Sequence, residues 1–142
     1  MMPGLQTPRH LRPERLVIGG KSLGGRIASM VADDAGVRGL VCLGYPFHPP
    51  GKQAAAEGED RRIAHLRTLR TPALIVQGTR DSFGTPEDVN AYGLFPAITV
   101  HWLEDGDHGF APRKRSGRTQ QQNEEEALAA VAGFLATQCG TA

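Results

Sequence analysis

The sequence predicts an α/β fold: an open, mostly parallel sheet of about four strands flanked by helices. Four short apolar runs rich in branched side chains, at 16–18, 40–43, 73–76 and 98–103, are each bounded by glycine, proline or charge, as strands are. Between and after them lie stretches of helical period, and alternation of strand with helix favours parallel pairing through helical crossovers. A chain of 142 residues fits one domain, taken as 1–142.

The first run enters Gly19-Gly20-Lys21-Ser22-Leu23-Gly24-Gly25, a tight turn that opens a helix. Ile27, Met30 and Val31 recur in that helix at the spacing of one buried face. Asp33 and Asp34 at its C-terminal end oppose the helix dipole, and the sequence offers no reason for them. The second run holds Cys42, read as a small core hydrophobe, and leads into a long loop over 48–60 that opens with the rigid surface turn His48-Pro49-Pro50. Past the third run, Thr85-Pro86-Glu87-Asp88 starts a helix with a capping threonine, proline at the first position and acids in the first turn; Gly93 should end it. His101 in the fourth run is expected to pack in the core. A second loop, 106–118, carries Arg113, Lys114, Arg115 and Arg118, a solvated cluster whose alternative reading is attraction of an anionic substrate or partner group. The last helix is expected from Asn123, with Glu126 completing a capping box and Leu128, Val131 and Leu135 facing the sheet until Gly140.

Composition excludes several classes of function. Sixteen basic against 15 acidic side chains give a formal charge of +1, so no chain-wide field gathers nucleic acid or anionic membrane. No aromatic residue is interleaved with the cations of the 106–118 loop, which further disfavours a nucleic-acid surface. Two cysteines are too few for a disulfide framework or a cysteine-built zinc site and suit a reducing compartment. The opening Met1-Met2-Pro3-Gly4-Leu5-Gln6 has no apolar signal core, and no stretch approaches the roughly 18 apolar residues of a membrane span, so a soluble cytoplasmic protein is expected.

Ser22 sits at the apex of a strand–turn–helix with glycine two residues to either side, the G-x-S-x-G pattern of a nucleophile elbow. Such a turn is strained, brings strand and helix close together, and presents the hydroxyl clear of the backbone beside the free N–H groups of the helix start. A serine hydroxyl needs a base, and a neutral imidazole needs an acceptor to fix its tautomer. Asp81 follows the third apolar run and His108 the fourth, so in a parallel sheet Ser22, Asp81 and His108 all emerge at the carboxyl ends of strands. Asp88 and Asp107 are the alternative acids. Gly20-Lys21-Ser22 is not a P-loop, because Arg15 holds the position of its first glycine, and Lys21 breaks a dinucleotide G-x-G-x-x-G match from Gly19.

These residues resemble the α/β-hydrolase superfamily, in particular small dienelactone-hydrolase-like proteins related to the testis-expressed α/β-hydrolase-like proteins. The likeness is carried by Gly19-Gly20-Lys21-Ser22-Leu23-Gly24-Gly25-Arg26, by Gly44-Tyr45-Pro46-Phe47-His48-Pro49-Pro50-Gly51-Lys52, by residues 72–84, and by Gly106-Asp107-His108-Gly109-Phe110 with Arg113-Lys114 and Ser116-Gly117-Arg118-Thr119 beyond it. It implies Ser22 as nucleophile, His108 as base, Asp81 as orienting acid and the Leu23 N–H as an oxyanion donor. The expected activity is hydrolysis of a small-molecule ester or acyl substrate, with no metal or organic cofactor. The family also carries, before the elbow, further strands and the loop supplying a second oxyanion donor, whereas about 15 residues precede the elbow strand here. The resemblance therefore implies the C-terminal part of the fold, with one edge of Leu16-Val17-Ile18 unpaired and self-association through that edge. The rival reading is a catalytically silent fragment that works by binding a partner.

Overall fold

The computed structural model describes residues 7–50 and 60–140, and most of the expected 48–60 loop lies outside them. Strands β1 (Val17–Lys21), β2 (Gly39–Leu43), β3 (Ala73–Gly78) and β4 (Ile98–Leu103) form one sheet in the order β1-β2-β3-β4, every neighbouring pair parallel. The four apolar runs thus become the four strands, with β1 starting one residue later and reaching Lys21. The first crossover is α1 (Leu23–Ala35), α2 (Pro86–Asn90) lies between β3 and β4, and α3 (Gln120–Gln138) closes the chain.

The sheet separates two apolar layers. Alternation along β3 sends Ala73 and Ile75 to one face, where they join Leu40, Cys42, Tyr45, Phe47, Ile63, Leu66 and Ala32. It sends Leu74 and Val76 to the other, against Leu103 and Ala127. All six residues of β3 are buried, as befits a strand covered on both faces. Cys42 is 1% exposed, and burial pushes its thiol up to about 12, so it packs as the sequence suggested and is inert as a nucleophile.

Several expectations need correction. Ile27, Met30 and Val31 do not pack on the sheet: they are 54%, 57% and 48% exposed, while α1 buries Gly25, Ser29 and Ala32. The helix approaches β1 and β2 closely, and only small side chains fit the contact. Asp33 has a purpose after all, since its carboxylate accepts from the Arg70 N–H, the Thr71 N–H and the Thr71 hydroxyl, closing the turn that feeds β3. Helix α2 has the expected Thr85 capping box but ends at Asn90, before Gly93. Helix α3 is capped by Thr119 with Gln122, four residues before the expected start. Asn123 is instead fully buried, donating to the Glu104 and Phe110 carbonyls, and Leu128 is 70% exposed. His101 is not a core residue; it is partly exposed and lies 2.7 Å from Glu126. His48 is no surface turn but is 4% exposed, with Nε2 2.9 Å from Asp88.

Candidate active site

Strand β1 turns into α1 at Ser22, whose φ of 51° and ψ of −118° place a non-glycine residue in strained backbone space. Such conformations cost about 1–3 kcal/mol and persist only where surrounding structure imposes them. Here the constraint is the close crossing of strand and helix. A Cβ on Gly20 would stand 2.5 Å from the Gly24 carbonyl carbon, and one on Gly25 would stand 2.7 Å from the Gly20 carbonyl oxygen. Gly24, the second glycine of the expected pair, would meet nothing within 4 Å, so the packing requirement falls on Gly25. The Ser22 N–H donates to the Leu43 carbonyl at 2.8 Å, fixing the turn to the end of β2. Leu23 is the first residue of α1, where backbone N–H groups have no partner within the helix.

The three candidate residues come together at the carboxyl ends of β1, β3 and β4. Ser22 Oγ lies 2.9 Å from His108 Nε2, and His108 Nδ1 lies 2.8 Å from Asp81 Oδ2. A carboxylate only accepts, so Nδ1 carries the proton of the neutral ring and Nε2 faces the serine as acceptor. Asp81 is fully buried, and its other oxygen accepts the Phe83 N–H at 2.8 Å. Burial pushes its carboxyl above the ordinary range, opposed by the hydrogen bonds from His108 and Phe83. The alternative acids are engaged elsewhere. Asp88 caps α2 and meets His48, while Asp107 Oδ1 accepts the Gly109 and Ala111 N–H groups, both at 2.9 Å, and shapes the turn that carries His108.

Residues that the sequence reading passed over hold this arrangement in place. Gly44 has φ 67°, and a Cβ there would stand 3.1 Å from the His108 carbonyl oxygen and 3.3 Å from its ring Cε1. The Phe83 ring lies 4.4 Å from the His108 ring, centroid to centroid. Gln77, fully buried at the end of β3, accepts the Tyr45 N–H and donates to the Tyr45 and Gly84 carbonyls, joining the segment after β2 to the loop after Asp81. A glutamine ending an apolar run was the readable signal. In the cationic cluster, Arg113 grips Asp105 through Nε and Nη2 and holds its carboxyl well below the usual range, with Arg80 adding a second contact. Arg118 binds Asn123 and Glu126. Lys114 and Arg115 remain exposed. Among the described residues no three His, Cys, Asp or Glu side chains are grouped to hold a metal ion, and no helix is long and apolar enough to cross a membrane.

A strained serine elbow on a parallel sheet, joined to a histidine and a buried aspartate, is the architecture of an α/β-hydrolase. The alpha/beta hydrolase domain family model matches residues 5–136, and the chain belongs to that family. It is 33% identical over 96 residues to a carboxymethylenebutenolidase of Pseudomonas sp. (strain P51), covering 65% of this chain and 35% of that protein. Among solved structures it resembles an esterase from Pyrococcus furiosus (17% identity, TM-score 0.61, 87% of this chain and 54% of that one). It also resembles an alpha-beta serine hydrolase homologue from Coxiella burnetii (22% identity, TM-score 0.56, 82% and 48%). The chain thus spans between 35% and 54% of the length of these relatives.

Proposed function

We propose that this chain is a serine hydrolase of small-molecule esters or related acyl bonds. His108 Nε2 takes the Ser22 proton as Oγ attacks the acyl carbonyl, and the Leu23 N–H donates to the oxyanion of the tetrahedral intermediate. Collapse expels the alcohol, which receives the proton from His108, and leaves an acyl group on Ser22. Water, deprotonated by the same imidazole, then attacks the acyl carbon, releasing the acid and restoring Ser22. Asp81 holds the imidazole in the required tautomer and stabilises the imidazolium. The continuous pair of hydrogen bonds, 2.9 Å from Ser22 to His108 and 2.8 Å from His108 to Asp81, is the observation that best supports this reading. Two free cysteines, one buried and one exposed, suit a reducing cytoplasmic setting.

A fluorophosphonate probe tests the nucleophile. It should label the protein, and Ser22→Ala should abolish both labelling and hydrolysis of a p-nitrophenyl ester; equal labelling of the alanine variant removes Ser22 from the chemistry. His108→Ala should resemble Ser22→Ala, because members of such a unit fail together. The second reading, a silent partner-binding unit, is favoured by the exposed apolar face of α1. It predicts no labelling at all.

A further inference from the structure

His48 is buried, 4% exposed, and the chemistry above gives it no part. Its ring Nδ1 lies 2.8 Å from the Pro49 carbonyl oxygen, and its Nε2 lies 2.9 Å from Asp88 Oδ2. A carbonyl only accepts, and so does an ionised carboxylate; each ring nitrogen therefore donates, and the ring is an imidazolium paired with Asp88. The Asp88 carboxyl is ionised: burial pushes it up, but the hydrogen bonds from His48 and Thr85 outweigh this and hold it below the ordinary range. A cation buried in this way depends on its counter-charge, so removing either partner strands the other.

The pair closes on the segment that carries the acid of the site. That segment runs from Asp81, 2.8 Å from the His108 ring, to Asp88. Between them the Phe83 N–H donates to Asp81 Oδ1 at 2.8 Å, and the Phe83 ring lies 4.4 Å from the His108 ring. His48 grips the segment at two points, its backbone N–H donating to the Phe83 carbonyl at 3.1 Å and its ring to Asp88. Beside it the Phe47 ring fits against Gly84, where a Cβ would stand 2.5 Å from the ring. The Asp88 oxygen that takes His48 also accepts the Thr85 N–H at 3.1 Å, which ties the far end of the segment to the start of α2. A change at the His48 ring thus reaches His108 through the two residues of this segment that touch it, Asp81 and Phe83.

We propose that His48, paired with Asp88, is a positioning residue of the Ser22 centre: it clamps the 81–88 segment so that Asp81 and Phe83 hold the His108 ring in line with Ser22. The effect on turnover rests on the hydrolase reading above; the effect on the His108 ring does not.

Proton magnetic resonance reads the ring without any turnover. The His108 Nδ1 proton, held by Asp81, should give a low-field signal, assigned by its loss in Asp81→Asn. His48→Gln and Asp88→Asn each remove the charge pair, and the asparagine keeps an oxygen for the Thr85 N–H. Both should shift or broaden the low-field signal in protein that stays folded by circular dichroism. Both should also lower kcat for 4-nitrophenyl butyrate by about tenfold while KM changes by less than about twofold, since orientation of the base is what is lost. The double variant should be no slower than the slower single one, because the two residues act as one pair. Nitrogen-15 spectra of the wild type should show both His48 ring nitrogens protonated. A signal and a kcat that survive both substitutions overturn the proposal, even if the melting temperature falls, and so do losses that multiply in the double variant or a neutral His48 ring. If His48→Gln does not fold, Asp88→Asn decides by the same two readouts. If the wild type cleaves no ester while its low-field signal still answers to His48, the Ser22 reading fails and the positioning stands. Turnover that needs Ser22 but ignores His48 does the reverse.

Discussion

Under the proposed mechanism, Asp81 serves chemistry at the expense of stability. Its carboxyl is fully buried and its pKa is raised, chiefly by burial. A group whose folded pKa exceeds its unfolded value favours the folded state only while protonated, and that advantage is lost as pH rises through the folded pKa. At pH values above the unfolded carboxylate range the buried carboxyl is therefore a net cost to folding. Asp81→Asn should keep or raise the stability measured by denaturant unfolding at pH 7, and the gap over wild type should narrow as pH falls towards 4. Turnover should nevertheless drop by up to about 10⁴, because an amide can hold the wrong imidazole tautomer. A variant that melts several degrees lower assigns Asp81 a mainly structural role. If Asp107→Asn lowers turnover more than Asp81→Asn does, Asp107 is the acid.

At the scale of elements, the loop that follows β4 depends on Asp105. That residue has φ 58° and binds Arg113 through both backbone and side chain, three residues ahead of His108. Arg113→Ala should loosen the His108 turn and lower both melting temperature and ester turnover. Since the Asp105 pKa is depressed, its stabilisation is present above the unfolded carboxylate range near 4 and fades as pH falls below it. The difference in stability between wild type and Arg113→Ala should shrink with acidification from pH 6, and a difference independent of pH means the ion pair contributes nothing. The strands were legible because branched apolar runs bounded by glycine and charge leave little alternative. The buried face of α1 was not: two sets of residues share helical spacing, and periodicity cannot say which one meets the sheet. Close approach at Gly20 and Gly25 chose the small set, Gly25, Ser29 and Ala32, a decision made by tertiary contact. The start of α3 was misread for a similar reason, because Asn123 has the chemistry of a cap yet spends it on carbonyls of distant loops. The candidate site was readable because each of its three residues follows a strand end, whereas Gly44 and Phe83 matter only through contacts across the sheet.

For the whole molecule the decisive feature is the side of the sheet bounded by β1. Strand β1 pairs with β2, and among the described residues no strand lies beyond it. Above it, α1 exposes Leu23, Ile27, Met30 and Val31 by 59%, 54%, 57% and 48%, an apolar surface that soluble monomers seldom leave open. A strand edge can pair with its own copy across a twofold axis, and a formal charge of +1 offers little repulsion to prevent it. We therefore predict concentration-dependent self-association, read as a rise in weight-average mass by sedimentation velocity between about 1 and 100 μM. Ile27→Glu with Met30→Lys should shift the protein to monomer at little cost in stability, since both side chains already face solvent and such surface changes usually fall within about 0.5 kcal/mol. A wild type that stays monomeric across that range shows that this face tolerates water, and the argument from the open edge then fails. If the variant associates as strongly as the wild type, association runs through another surface.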